Sequence, residues 1–484
     1  MKEFINKYKL FIIDYELLVL AFILSLFDLK NTAIVLLIVA SGLFIKLVKD
    51  IVGNYMSFTV LFSGFHVLYG LAGVVSKCWL NQMSSTYGKD FIYSPYLIIY
   101  SLCTIALLTG IIISNIKHGE PKDTIVTEDN KMKDFFLFIA YCGFAVTSIC
   151  EIINFIRVGG IGTLLAGKAI YQAAVDELVL TLPTQYIFQV SFAALCIFIH
   201  ISILNKEKIQ PKKIIICVLL ALPYLLMLIL LVRRGPILVS IFMIMLAIFQ
   251  SKPLKKIPIK LVIAFLIVYL VLGTLYAIRN DIGLLFTNFN EFKNKFDIHY
   301  VIRTLNPAVT EFGCTYGNFN RFYVKNNGKY DLLYGRSYVQ GLFHVVPTYL
   351  YSGEKPQMIT YEFRDKYFPA KAKISSIAST GFSSILEAYW NFWYFGALIY
   401  VIYGYILILL EKKLKNKNYF YMLEYISSVA MIYSFHRSEF GHSVSEIIII
   451  TLEIAAIYLF YKFIYNKENK LSKFIKEKIM KNGE

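Results

Sequence analysis

Three short stretches concentrate the groups that could do chemistry. FHRSEFGH, Phe435 to His442, packs two histidines, an arginine and a glutamate into eight residues. Histidine titrates near neutrality and can take up or return a proton, so His436 leads as a general base, with His442 and Glu439 beside it. Arg437 adjoins His436 and disfavours its protonated form through like charge, which keeps the imidazole a proton acceptor. LVRRGP, Leu231 to Pro236, places Arg233 and Arg234 where one apolar run hands over to the next, and Arg279 closes a following run in LYAIRND. A guanidinium is a planar fork of donors that grips phosphate or carboxylate. These three arginines could clamp a lipid diphosphate at headgroup depth; the plainer alternative is span-end arginines snorkelling into headgroups. TGFSSILEAYWNFWYFG, Thr380 to Gly396, puts Ser384, Glu387 and Asn391 at spacing i, i+3, i+7 on one helix face. An ionisable group inside a span marks function by default, although a carboxylate at a helix N-terminus is also favoured electrostatically. Glu387 is therefore the second candidate base, or a holder of the imidazole.

The elements that must position these groups are membrane helices. Of the 484 residues 57% are hydrophobic, mean hydropathy is +0.59, and apolar runs recur at the length that crosses a bilayer. The runs are continuous and do not alternate, which argues against a barrel. The expectation is an all-α polytopic protein of about twelve spans, near 10–27, 32–48, 55–75, 93–115, 134–156, 184–204, 213–232, 235–251, 260–278, 382–410, 419–435 and 443–464. Residues 1–279 would form nine spans, 280–380 a large extracytoplasmic loop with short helices, and 381–484 three more spans and a basic tail. The first run ends at Asp28-Leu29-Lys30 without a cleavage pattern and reads as a span.

One set of short loops, with the termini, holds 28 lysines, and the opposite short loops hold 8 basic residues. The positive-inside rule places the first set in the cytoplasm, so the net charge of +17 implies no nucleic acid. All nine arginines fall on the opposite, outer side, Arg303 and Arg336 in the long loop among them. This asymmetry points to an anionic or diphosphate ligand there; pairing with acids inside the long loop is the alternative. GGIG, Gly159 to Gly162, could cradle an anion but is commonly a plain loop. The seven cysteines lack metal-ligand spacing, and no metal, nucleotide or other cofactor is required by the residues seen.

LLYGRSYVQGLFHVVPTYLYSGEKP (Leu332–Pro356) and the stretch from Thr380 to Gly404 resemble the Wzy-type O-antigen and capsular oligosaccharide repeat-unit polymerases. Gly381, Ser383, Glu387, Tyr389, Asn391 and Phe392 match that family's G-x-S-x-x-x-E-x-Y-x-N-F pattern. Where the family often continues N-F-G, Trp393 follows Phe392 here and the glycine comes at Gly396. The resemblance implies transfer of a growing glycan from undecaprenyl diphosphate onto the next lipid-linked repeat unit, at the outer face of a bacterial plasma membrane, with both termini cytoplasmic. It implies lipid-linked oligosaccharide and membrane lipid as ligands, and a flippase and a chain-length regulator of the same pathway as partners. Tyr389, Asn391 and His344 join the arginines, Glu439 and His442 as substrate contacts on this reading. An O-antigen ligase, a transporter of lipid-linked sugars and a non-catalytic export partner are the competing functions; a transporter should show internal repeats and mid-membrane polar groups, and no convincing repeat is seen.

Overall fold

The computed structural model describes residues 2–88, 90–119, 130–165, 171, 174–175, 184–231, 233–278, 284, 287–295, 297–298, 301–302, 305–306, 309, 312–346, 355–372, 381–414 and 418–465. Among these there is no strand. The first half is built from α1 (Lys2–Leu26), α2 (Lys30–Val52), α3 (Phe58–Leu80), α4 (Ser94–His118), α5 (Asn130–Arg157), the short α6 (Gly160–Leu165), α7 (Thr184–Leu204), α8 (Pro211–Leu230), α9 (Arg234–Ser251) and α10 (Ile259–Ile278). The long loop contributes α11 (Phe289–Lys295), α12 (Gly313–Lys325), α13 (Arg336–Phe343), α14 (Ile359–Tyr367) and α15 (Pro369–Ala372). The last part holds α16 (Ser384–Phe392), a 3-10 turn (Trp393–Leu398), α17 (Ile399–Leu414), α18 (Tyr419–Ser427), α19 (Val429–Arg437) and α20 (Phe440–Tyr465).

Among the described residues nine helical stretches are long and apolar enough to cross a membrane: α2, α3, α4, α5, α7, α8, α9, the run from α16 through α17, and α20. The protein is a polytopic helical membrane protein. The other three expected spans coincide with α1, which carries Asp14 and Glu16, with α10, and with the α18–α19 pair, broken at Ser428 into two nine-residue halves.

The helices pack as helices in lipid do. On α8 the residues turned inward are Cys217, Ala221, Tyr224 and Leu228, while Ile215, Leu219, Leu222 and Leu226 stay exposed. Aliphatic side chains cost nothing against hydrocarbon, and small residues at the contacts let helices approach closely. At the crossing of α4 and α17, a methyl group on Gly110 or Gly404 would overlap the opposing backbone. The same device joins the long loop to the last hairpin: Gly341 of α13 lies against Gly441 of α20, where an added Cβ would come within 2.6 Å of the other glycine's Cα.

Two breaks shape the late helices. Ser383 caps α16 by accepting from the Leu386 N–H at 3.0 Å. At its other end Trp393 takes φ +54°, a conformation costly for a bulky residue, and the expected single span becomes two helices joined by a 3-10 turn. Gly396 permits this, because a side chain there would strike the Ala388 carbonyl.

Candidate functional site

The α19–α20 hairpin turns in two residues, Ser438 and Glu439, and is held from three directions. The Arg437 carbonyl accepts from the Phe382 N–H at 2.6 Å and the His436 carbonyl from the Thr315 hydroxyl at 3.3 Å. The third hold is Glu387 of α16. One of its oxygens accepts from Phe440 N–H at 2.7 Å, the other from the Ser337 hydroxyl of α13 at 2.6 Å. Asn391, one helical turn on, donates to the Ser337 oxygen at 2.8 Å and accepts the Gly335 N–H at 2.9 Å. The motif face Ser384, Glu387, Asn391 is thus wholly buried and stitches the long loop and the hairpin to one helix; Ser384 itself bonds the Tyr400 hydroxyl at 2.8 Å. Tyr389 also faces inward, packed on Phe319 and Tyr394 and accepting from the Trp393 indole.

Beside this clamp lies a polar cavity of about 380 Å³. Arg437, Glu439, His442 and Glu446 from the hairpin line it, with Gly235 and Pro236 of the α9 first turn, Thr360 and Tyr361 of α14, and Gln185 and Gln189 of α7. Pro236 suits that first turn, where its missing N–H leaves no helical bond unmade. Glu439 is buried; one oxygen accepts the Thr360 N–H at 2.8 Å and the other has no hydrogen-bond partner. Burial, and next the Glu387 carboxylate, push its carboxyl up to about 8. Glu446 accepts from Ser434 at 2.8 Å. The Arg437 guanidinium does not turn toward His436; it lies over the Tyr433 ring, 5.0 Å from its centroid, and donates to that tyrosine's hydroxyl.

A second cavity, about 530 Å³ and lined almost wholly by apolar side chains, runs between α3, α9 and α10. Phe65, Leu68, Leu238, Phe242 and Phe265 form its walls and Arg234 stands at its edge. The two cavities share Gly235 and Tyr433.

The sequence candidates separate accordingly. Arg437, Glu439 and His442 meet in the polar cavity. The adjacent arginines of the LVRRGP joint part company: Arg234 faces the apolar cavity near Tyr269, and Arg233 sits in the electrostatic surroundings of Tyr171, Tyr224 and Glu151. His436 lies outside the cavity lining, buried against Phe62, His66 and Tyr69, and its Nε2–H donates to the Phe62 carbonyl at 3.2 Å. His344 ends α13, its imidazole held below the usual range by burial and by the Lys355 ammonium. Arg336 is paired with Glu362 at 2.7 Å, so acid pairing within the long loop accounts for this one. It accounts also for Arg364 with Asp365, while Arg321 donates to the Tyr367 and Thr86 carbonyls. Arg279 and Arg303 lie outside the described residues. No group of three or more His, Cys, Asp or Glu side chains that could hold a metal occurs among the described residues. Sequence reasoning missed Gln185, Gln189, Thr360 and Tyr361. Two glutamines four residues apart at a span end were a usable signal; for the α14 residues there was none.

A multi-pass helical membrane protein whose late hairpin, long loop and central helices enclose a polar cavity next to an apolar one is the class defined so far. The family model for O-antigen polysaccharide polymerase Wzy matches residues 8–469, and the chain belongs to that family. It is therefore a polymerase of the glycosyltransferase type, acting in polysaccharide biosynthesis. The comparisons with curated proteins and with solved structures match nothing.

Proposed function

We propose that the chain transfers a growing glycan from undecaprenyl diphosphate onto the next lipid-linked repeat unit, at the outer face of the plasma membrane, with both termini cytoplasmic. The observation that carries this is the junction at Gly235 and Tyr433, where the apolar cavity edged by Arg234 meets the polar cavity holding Arg437, Glu439 and His442. A lipid-linked sugar has the same division: an isoprenoid, a diphosphate and a glycan. The isoprenoid would enter between α3 and α10, the diphosphate would sit between Arg234 and Arg437, and the reacting sugars would occupy the polar cavity.

The acceptor hydroxyl oxygen attacks the donor's anomeric carbon as the bond from that carbon to the diphosphate oxygen breaks. The departing diphosphate keeps the electron pair, and the arginines stabilise the charge that develops there. The hydroxyl proton passes to the base. We assign the base to Glu439, because it lines the cavity and has an oxygen without a hydrogen-bond partner. His436 and Glu387, both buried and hydrogen-bonded to neighbouring elements, are positioning residues on this reading. The flippase and chain-length regulator of the same pathway are the partners it implies.

Purified protein in lipid vesicles, given purified lipid-linked repeat unit alone, should build a ladder of polymer and release undecaprenyl diphosphate. Absence of any ladder from folded protein, or transport of the intact repeat unit across the vesicle wall in its place, would sink the reading.

A further inference from the structure

Trp393 stands where the sequence departs from the N-F-G run frequent in the family. Its backbone is left-handed, φ +54°, a conformation that glycine adopts freely and tryptophan at a cost. The residue is 49% exposed, so burial does not account for a tryptophan there. The indole N–H donates to the Tyr389 hydroxyl at 3.2 Å, which steadies the ring. Strain of this kind persists only where the surroundings hold it, and it gathers at ligand sites.

The surroundings are built to hold it. The last carbonyls of a helix have no partner within it. Those of α16 are taken by the segment between α12 and α13: Leu333 N–H donates to the Trp390 carbonyl and Tyr334 N–H to that of Asn391, both at 3.1 Å. The Trp390 indole donates to the Asp331 carbonyl at 3.2 Å. Asn326, just past α12, donates to the Tyr367 hydroxyl at the end of α14 at 2.7 Å. Between these tied elements lies an open cleft of about 650 Å³, lined by Trp393, Asn326, Lys329, Asp331 and Lys366 among others.

The lining is mixed in a particular way. Asn326 donates its amide group to the Phe322 carbonyl and the Tyr367 hydroxyl, both at 2.7 Å, and so offers Oδ1 as an acceptor. Lys329, Asp331 and Lys366 are exposed, and their side chains make no hydrogen bond or ion pair among the described residues. A phosphate would find the lysines but also a carboxylate and an amide oxygen. Sugar hydroxyls both donate and accept, so they can use all of these groups, and the apolar C–H face of a sugar ring suits an aromatic face. The place is apt as well. Two helices run from the polar cavity to the cleft: α14, with Thr360 and Tyr361 at the first and Lys366 at the second, and α16, from Glu387 to Trp393 at its end. At 1.5 Å per residue, Lys366 lies roughly 8 Å beyond Tyr361 along α14.

We propose that this cleft is a second glycan site, which holds distal repeat units of the growing chain while the reacting sugars lie in the polar cavity. The identity of that glycan rests on the polymerase reading. A chain held at two places stays with the enzyme between additions, so the cleft sets how long the product grows.

The test uses the full-length protein in lipid nanodiscs. Its three tryptophans are Trp79, Trp390, which is buried, and Trp393. In a Trp79→Phe background, Trp393 is the exposed indole. Lipid-free oligosaccharide of several repeat units, released by mild acid from the lipid-linked polymer, should shift its emission saturably to the blue. Asp331→Ala and Lys366→Ala, both at exposed positions, should weaken that binding severalfold and shorten the polymer. Trp393→Gly relieves the backbone, so its thermal midpoint should stay or rise while the polymer shortens, and Trp393→Tyr should restore the length. A wild type whose emission ignores the oligosaccharide overturns the site. So does emission quenched by brominated lipid, which would make Trp393 a membrane-interface anchor, or an equal shift with inorganic phosphate, which would make the cleft an anion site. A Trp393→Gly variant of lowered midpoint and unchanged product length also overturns it, as a packing residue. A wild type that binds the oligosaccharide here yet builds no polymer overturns the polymerase reading and leaves the glycan site standing.

Discussion

Glu387 and Glu439 are two buried carboxylates one contact apart, since Glu387 holds the N–H of Phe440, the residue after Glu439. Their surroundings differ. Glu387 has both oxygens engaged, by Ser337 and by Phe440, and Ser337 is engaged in turn by Asn391. Glu439 lines the cavity, with one oxygen on the Thr360 N–H and the other without a partner. A fully satisfied polar network fixes the packing around it, whereas an unsatisfied buried atom holds interaction energy that a ligand can claim. The family motif therefore reads as the clamp that aims the hairpin, and the hairpin as the part that reacts.

Exchanging one oxygen for an amide in each carboxylate separates these roles. Glu439→Gln removes the base and should lower the polymerisation rate about 10²–10⁴-fold, with the thermal midpoint of the purified protein at or above that of the wild type. Glu387→Gln sets an N–H donor against either the Ser337 hydroxyl or the Phe440 N–H. Leaving such a buried group unmatched costs about 1–3 kcal/mol, so the variant should unfold earlier and accumulate less. Were Glu387→Gln to keep the wild-type midpoint while Glu439→Gln lost it, the two assignments would have to be exchanged.

The same comparison sharpens with pH. Burial first, and then the neighbouring Glu387, lift the Glu439 carboxyl from 4.5 to about 8. A folded state that holds a proton more tightly than the unfolded chain has that stabilisation in full below the unfolded value and loses it as pH rises through the folded one. The thermal midpoint should therefore fall between pH 5 and about 8, and fall less in Glu439→Gln. The reaction should run the other way, its rate rising through about pH 8 as the base ionises. A rate that falls over this interval would make Glu439 an acid.

Much of the frame could be read from the chain alone. Runs of about twenty apolar residues have few folds open to them in lipid, and the hairpin and the Glu387 face announced themselves as charge placed where charge is costly. What could not be read depends on distant partners. Thr360 reaches the cavity only because α14 of the long loop packs under the hairpin, a contact between positions 79 residues apart. The break at Trp393 follows from Gly396 passing close to the Ala388 carbonyl, which no apolar pattern reports. Arginine identity was no guide to role: Arg321 and Arg364 serve loop packing, and only the structure parts them from Arg234 and Arg437.

That division among arginines gives the smallest effects. Arg437→Lys keeps a charge at the cavity but loses the planar fork and its seat on Tyr433, and activity should drop roughly tenfold, about 1.4 kcal/mol of transition-state stabilisation. Arg336 was a candidate substrate contact from sequence, yet its guanidinium is spent on Glu362, in a pair whose side chains are 46% and 34% exposed. Exposed pairs are screened by water and contribute about 0.2–1 kcal/mol. Arg336→Ala should therefore move the thermal midpoint slightly and leave polymer yield at matched protein level close to wild type. The pair bridges α13 to α14, so some loosening of the long loop is expected, visible as faster proteolysis between them. If Arg336→Ala instead cost as much activity as Arg437→Lys, the long-loop arginines would belong to the substrate path, and the diphosphate would have to be sought nearer α13 than the α9 first turn.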